Sequence, residues 1–278
     1  MSPIITLTTD FGNADAYVAS MKGVILSLNP KAVIADISHS IQPQNVLQAA
    51  FILSTAYPYF PEGTIHLAVV DPGVGSRRKA IVLKTPKAFL VAPDNGILSY
   101  MIGDFDRMPG KPSRGMPAIA KQWKLPPGLE AVAITNPEYW RQPVSSTFHG
   151  RDIFAPVAAH LSLGVPPHKF GERLSQVHVF NIPRPYKNTR GDLVGCVLHI
   201  DNFGNLITNI RSGDLPLEKA NVAIGKHRIK GISKFYAGTK GLAAVMGSSG
   251  YLEISLKSGS AAEFSRAKVG HEVTIVSS

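Results

Sequence analysis

Within the first 70 residues, β-branched or apolar runs alternate with stretches of helical periodicity, and that alternation leaves few folds open. Residues 4–8 (IITLT), 33–37 (VIADI) and 65–70 (IHLAVV) read as strands, while Ala14–Leu28 and Asn45–Tyr59 carry apolar positions at helical spacing. Strand, helix, strand, helix, strand is the signature of a parallel sheet covered by helices. Residues 80–85 (AIVLKT) and 131–134 (AVAI) extend the strand set. Asp152–Leu163 predicts a further helix, with Asp152 suited to its N-cap and Pro156 either early in it or kinking it.

The pattern changes after residues 181–190 (NIPRPYKNTR), where two prolines and three basic residues without periodicity suit an exposed linker. Beyond it, short alternating runs (195–200, 206–210, 222–224, 242–246, 251–256 and 272–276) are punctuated by Gly, Asn and Ser. That is the pattern of a small antiparallel sheet or barrel. The expectation is an α/β chain: residues 1–184 form an α/β domain with a mostly parallel central sheet, and residues 185–278 form a small β-domain.

Composition removes several alternatives. Hydrophobic residues make up 44% of the 278, enough for real cores, so disorder is excluded as the main state. The single cysteine, Cys196, excludes an intramolecular disulfide framework and a cysteine-cluster metal site. Apolar stretches are broken well before the roughly 20 residues that a spanning helix needs. The opening MSPIITLTTD reads as a strand rather than a signal peptide, so a cytoplasmic location and no membrane partner are expected. Net charge is +10, but the excess is spread along the chain, and no basic run is interleaved with a base-stacking aromatic pattern. A solvated basic surface, with no nucleic-acid partner, is the expectation.

Four segments can carry chemistry. Thr8-Thr9-Asp10-Phe11-Gly12 follows the first strand, where a carboxylate can hold a ribose diol or cap the next helix. GxGxxG and GxxxxGK[ST] are absent. Asp71-Pro72-Gly73-Val74-Gly75-Ser76-Arg77-Arg78 follows the third strand; its turn residues let Asp71 and Arg78 meet, or only reverse the chain. Ser146–Asp152 (STFHGRD) presents His149, a proton acceptor near neutral pH, at a helix start. No paired-His spacing supports a metal. Past the linker, Asp201-Asn202-Phe203-Gly204-Asn205 and Gly247–Leu252 (GSSGYL) can hold an ammonium, a purine edge and a carboxylate, or be ordinary hairpin turns.

Taken with Ala92–Gly96 (APDNG), the motifs TTDFG, DPGVGSRR, FHGRD, DNFGN and SSGYLEI, in this order, resemble the S-adenosylmethionine (SAM) hydrolase family, also called SAM hydroxide adenosyltransferases, relatives of the SAM-dependent fluorinase and chlorinase. The resemblance implies a C-terminal β-barrel and a homotrimer binding SAM between one subunit's N-domain and a neighbour's C-domain. It implies that Asp10 grips the ribose hydroxyls, Asp201 the methionine ammonium, Ser248 its carboxylate and Asn205 the adenine edge, with Tyr236 stacking on adenine. Asp71, Arg78 and His149 match the family's catalytic trio. SAM is then the substrate, and no cofactor or metal is called for. A SAM-dependent 5′-halogenase and a non-catalytic SAM or adenosine sensor are the competing readings. Two departures stand out: Gly247 replaces a frequent Asn, and residues 105–127 look like an insertion, either covering the site or extending a subunit contact.

Overall fold

The computed structural model describes residues 2–104, 116, 119–215, 220–233, 235 and 241–277. The described chain divides into two compact units, and the division follows Phe180.

The first unit runs β1 (Ile4–Thr9), α1 (Tyr17–Leu28), β2 (Val33–Ser38), α2 (Val46–Ala56), β3 (Thr64–Val69), β4 (Ala80–Lys84), β5 (Ala88–Pro93), α3 (Ser99–Gly103), β6 (Lys121–Lys124), β7 (Glu130–Ala133), α4 (Ala155–Ser162), β8 (Arg173–Leu174) and β9 (Gln176–Val179). Seven strands form one sheet in the order β2-β1-β3-β5-β4-β7-β8. Strands β2, β1, β3 and β5 pair in parallel, whereas β4 runs against both β5 and β7, and β8 against β7. Half the pairings are thus antiparallel, but β7 again points the same way as β2, β1, β3 and β5, so the strands of the sheet are mostly parallel in direction, as expected. Strand β5 was not expected: it starts three residues after the run read at 80–85, and a two-residue Pro86-Lys87 turn makes the two a hairpin at the sheet's centre.

Strand order fixes where a site can lie. The chain leaves β1 for β2 on one side and returns to β3 on the other, so the carboxyl ends of β1 and β3 sit at a topological switch point. Thr9 pairs with Val69, which sets the residues that follow the two strands side by side. Beneath, Ile5 and Leu7 of β1, Leu67 of β3, Met21 and Ile25 of α1 and Val157 of α4 are wholly buried in one core. Each such side chain contributes about 1.5–3 kcal/mol on burial. Asn45 caps α2 by accepting the Gln48 N–H at 3.0 Å, a contribution of about 1 kcal/mol.

The expected helix at 152–163 differs in its first turn. Residues Gly150–Phe154 form a π-turn that passes into α4, whose second residue is Pro156. Pro156 has no N–H to donate, and it falls where the helix passes from π to α hydrogen bonding, one residue after Ala155 donates to the Gly150 carbonyl. Asp152 is not the N-cap; its carboxylate is engaged elsewhere, as described below.

The second unit contains β10 (Tyr186–Lys187), β11 (Leu193–Ile200), β12 (Leu206–Arg211), β13 (Ala220–Ile224), β14 (His227–Ile229), β15 (Leu242–Met246), β16 (Tyr251–Leu256), α5 (Ala261–Ser265) and β17 (Glu272–Ser277). Its antiparallel strands follow the order β14-β13-β17-β11-β12-β16-β15, with β10 added on β11. A bridge between Ser233 and Val245 brings the two ends together, giving a nearly closed barrel. Alternate residues, including Val197, Leu206, Val222, Leu252, Ile254 and Val273, fill its interior. Much of the apparent insertion at 105–127 lies outside the described residues; its last part supplies β6, which pairs with β9.

Candidate active site

Asp10 and Asp71 stand just past the adjacent ends of β1 and β3, and both line a cavity of about 390 Å³ with His149, Phe11, Tyr17 and Phe148. Asp10 does not cap α1, whose start lacks any side-chain cap. Its Oδ2 instead accepts the Gln44 N–H at 2.8 Å, and Gln44 adopts a left-handed φ of 66° to present it. The loop behind Asp10 is held from β2's end: Thr9 Oγ1 lies 2.8 Å from His39 Nδ1, and the His39 carbonyl accepts the Gly12 N–H at 2.8 Å.

Asp71 and Arg78 meet, as the turn residues allowed. Arg78 Nε donates to Asp71 Oδ1 at 2.9 Å, and Nη2 is ion-paired with Oδ2, in the forked geometry that suits guanidinium and carboxylate. Their side chains are only 12% and 5% exposed, so the pair is shielded from bulk water. Gly75 makes this turn possible: its φ is 77°, and a Cβ there would sit 2.9 Å from the Ser146 carbonyl oxygen of the loop carrying His149. The aliphatic and aromatic surroundings complete the fit, with the Arg78 guanidinium carbon 5.2 Å from the Phe154 ring centre.

His149 joins the pair through arginine. Arg78 Nη2 lies 2.9 Å from His149 Nδ1, so the guanidinium stands between the carboxylate and the imidazole. Since guanidinium only donates, Nδ1 must accept, and the remaining proton of the neutral ring sits on Nε2. Desolvation and the positive charge of Arg78 lower the imidazole pKa below its ordinary 6.5, with Asp71 and Asp152 pulling the other way. At neutral pH the ring is uncharged.

Two features were missed by sequence reasoning. Phe11, Tyr17 and Phe148 form an aromatic cluster, with ring centres 5.1–5.7 Å apart. Their positions, 11, 17 and 148, have no shared period that could have marked them. Asp152 is the second feature: wholly buried, it binds Arg151 through two bonds of 2.7 and 2.9 Å and accepts the Ser145 N–H at 2.9 Å. Burial opposes its charge, but Arg151 and the Ser145 N–H outweigh that and hold its pKa below the usual carboxylate value. Asp152 thus pins both ends of the 145–152 loop that carries His149.

In the second unit, Asp201 and Asn205 are brought together by their own turn. Asp201 Oδ1 accepts the N–H groups of Phe203 and Asn205 at 2.9 and 2.8 Å, and Oδ2 accepts Asn205 Nδ2 at 2.9 Å. Ser248 is exposed in the turn joining β15 and β16. A Cβ at Gly247 would fall 1.7 Å from Glu253 Oε1, so an Asn at this place requires the Glu253 side chain to move. Tyr236 lies outside the described residues. Among the described residues, no group of three His, Cys, Asp or Glu is placed to hold a metal, and no helix is long and apolar enough to cross a membrane.

Known proteins resemble this chain in sequence and in fold. An (R)-S-adenosyl-L-methionine hydrolase of Methanocaldococcus jannaschii is 37% identical, covering 91% of this chain and 88% of its own. A fluorinase of Nocardia brasiliensis is 32% identical, covering 98% and 96%. The crystal structure of a conserved protein from Thermotoga maritima superposes with a TM-score of 0.84 at 35% identity, over 98% of this chain and 99% of that one. Residues 5–171 match the SAM hydroxide adenosyltransferase N-terminal domain and residues 195–274 its C-terminal domain, so the chain belongs to the SAM hydroxide adenosyltransferase family.

Proposed function

We propose that this protein hydrolyses S-adenosyl-L-methionine to adenosine and L-methionine, by in-line attack of water at ribose C5′. The observation that carries this reading is the Asp71–Arg78–His149 array, bridged by Arg78, whose Asp71 and His149 line the same cavity as Asp10. As the water oxygen bonds to C5′, the C5′–S bond breaks and its electron pair stays on sulfur. Methionine leaves as a neutral thioether, so no acid is needed on that side. The chemical demand falls on the nucleophile: orient one water and remove one proton.

Each member of the array has a part in that step. The Asp71 carboxylate accepts the proton that water loses. His149, with its proton on Nε2, donates to one lone pair of the water and leaves the other for attack. Arg78 fixes both partners, and loses no proton itself. Asp10 holds the ribose hydroxyls; Asp201, Asn205, Ser248 and Tyr236 hold the methionine and adenine ends. A neighbouring subunit of a cytoplasmic homotrimer completes each site, and light scattering on eluted protein would then report the mass of three chains.

The fluorinase relative keeps 5′-halogenation in view. A halide must shed water to enter a pocket, and a buried carboxylate at the nucleophile's place repels an anion strongly. The carboxylate of Asp71 therefore favours water. Incubation with SAM in ¹⁸O-water, with chloride and fluoride in parallel, decides the matter. Adenosine labelled at 5′ is expected; a 5′-haloadenosine assigns the halogenase reaction, and intact SAM despite binding assigns a sensor.

A further inference from the structure

The segment Ala92–Gly96 (APDNG) carries part of the family resemblance, yet the substrate roles above leave it unused. It ends β5 and turns behind the cavity wall. The cavity lining includes Val69, Asp71 and Pro72 but not Asn95. Two of its hydrogen bonds reach the turn that bears the catalytic pair. Asn95 Nδ2 donates to the Val70 carbonyl at 2.9 Å, and the Asp94 N–H donates to the Lys79 carbonyl at 2.8 Å.

Val70 immediately precedes Asp71, and Lys79 immediately follows Arg78. The motif therefore grips the 71–78 turn at both ends. The grip is itself anchored: Asn95 Oδ1 accepts the Ile97 N–H at 3.2 Å, and the buried Asp94 carboxylate accepts the His178 N–H at 2.7 Å while lying 2.7 Å from His178 Nδ1. By contrast, the turn's own closures, Val74 N–H to the Asp71 carbonyl at 3.2 Å and Ser76 N–H to the Gly73 carbonyl at 3.0 Å, join only neighbouring residues. They shape the turn without fixing it against the sheet.

We propose that Asn95 is a positioning residue for hydrolysis: by holding the Val70 carbonyl it sets where the Asp71 carboxylate stands in the cavity, and with it the Arg78 that Asp71 holds from behind. This rests on the reading of Asp71 as the group that serves the attacking water. Orientation-dependent steps are sensitive to such placement, a misplacement of roughly 1 Å costing about a hundredfold in rate.

The test compares Asn95→Ala with Asp71→Asn and with the double variant, measuring kcat, KM for SAM and thermal midpoint. Asn95→Ser is made in parallel, so that a folded variant is available if alanine prevents accumulation. The expected result is a kcat lower by about ten- to a hundredfold for Asn95→Ala, with KM within about threefold. In the Asp71→Asn background the same change is expected to cost nothing further, because the group it positions is already gone. A folded Asn95 variant with kcat within twofold of the parent overturns the proposal, as does a rise in KM alone or full additivity with Asp71→Asn. Full activity of Asp71→Asn itself would overturn the hydrolysis reading of Asp71, and the positioning role with it.

Discussion

Two acidic residues at turns, one in each unit, are satisfied in opposite ways. Asp201 finds its partners within four residues: two backbone N–H groups and the amide of Asn205, all from its own β-turn. Asp71 is held by Arg78, which in turn reaches His149, a residue brought from 71 positions further along by the passage from the sheet to α4. A local turn of the first kind forms wherever its residues stand. The second arrangement exists only in the finished fold, with a buried ion pair whose desolvation is costly unless every contact is made. The proposed roles match this difference: a base for the attacking water needs a carboxylate fixed in the second way, and an ammonium site at a turn needs only the first.

Replacing Asp71 by Asn is the strongest way to break this contrast. It keeps the volume and removes the charge, and kcat is expected to fall by about 10²- to 10⁴-fold, the usual contribution of a positioned base. SAM affinity, measured by calorimetry on the same preparation, is expected to stay within about tenfold. Equal losses in both would make Asp71 a binding residue and erase the difference between the two turns.

Asp201→Asn sharpens the contrast from the other side. The Asn Oδ1 still accepts the N–H groups of Phe203 and Asn205, but its amide now faces that of Asn205 in place of a carboxylate oxygen. Loss of that one partly exposed bond is expected to cost about 1 kcal/mol in urea unfolding. If Asp201 also holds the methionine ammonium, Kd for SAM rises by about tenfold, as loss of one charged hydrogen bond predicts, while kcat at saturation changes little. An unchanged Kd would leave Asp201 a turn residue and nothing more.

The same contrast explains what could be read from the sequence. The strand and helix alternation gave the parallel core because apolar period is a local signal, and β1, β2 and β3 lie within two residues of where it placed them. Turn chemistry allowed the Asp71–Arg78 pairing without deciding it, since Gly73, Gly75 and Pro72 announce a chain that folds back but not which side chains then meet. Local signals did not give the order of contact between Arg78 and His149, the buried anchor at Asp152, or the grip of Asn95 on Val70. Each of these depends on which strand lies beside which, and the unexpected β5 between β3 and β4 is what carries Asn95 to its place. Asp152 shows the limit most plainly: a residue type suited to a helix cap was drawn into the interior by Arg151 and the Ser145 N–H.

The smallest expected effect concerns the proton on His149, and it tests whether the array is as fixed as the geometry implies. Burial and Arg78 depress the imidazole pKa below 6.5, so the folded protein binds that proton less readily than the unfolded chain. The contribution to stability is therefore complete above the unfolded value and declines as pH falls below it. Turnover should follow the same sign, flat through neutral pH with an acid limb below 6.5, because a protonated Nδ1 can no longer accept from Arg78. Nitrogen-15 NMR of the ring reads this directly: at neutral pH the Nε2–H tautomer is expected, with a titration midpoint below that of an exposed histidine. An Nδ1–H tautomer, or a midpoint above 6.5, would mean that Arg78 does not hold His149 in solution. The arrangement would then be closer to the locally satisfied turn at Asp201 than to a built catalytic array.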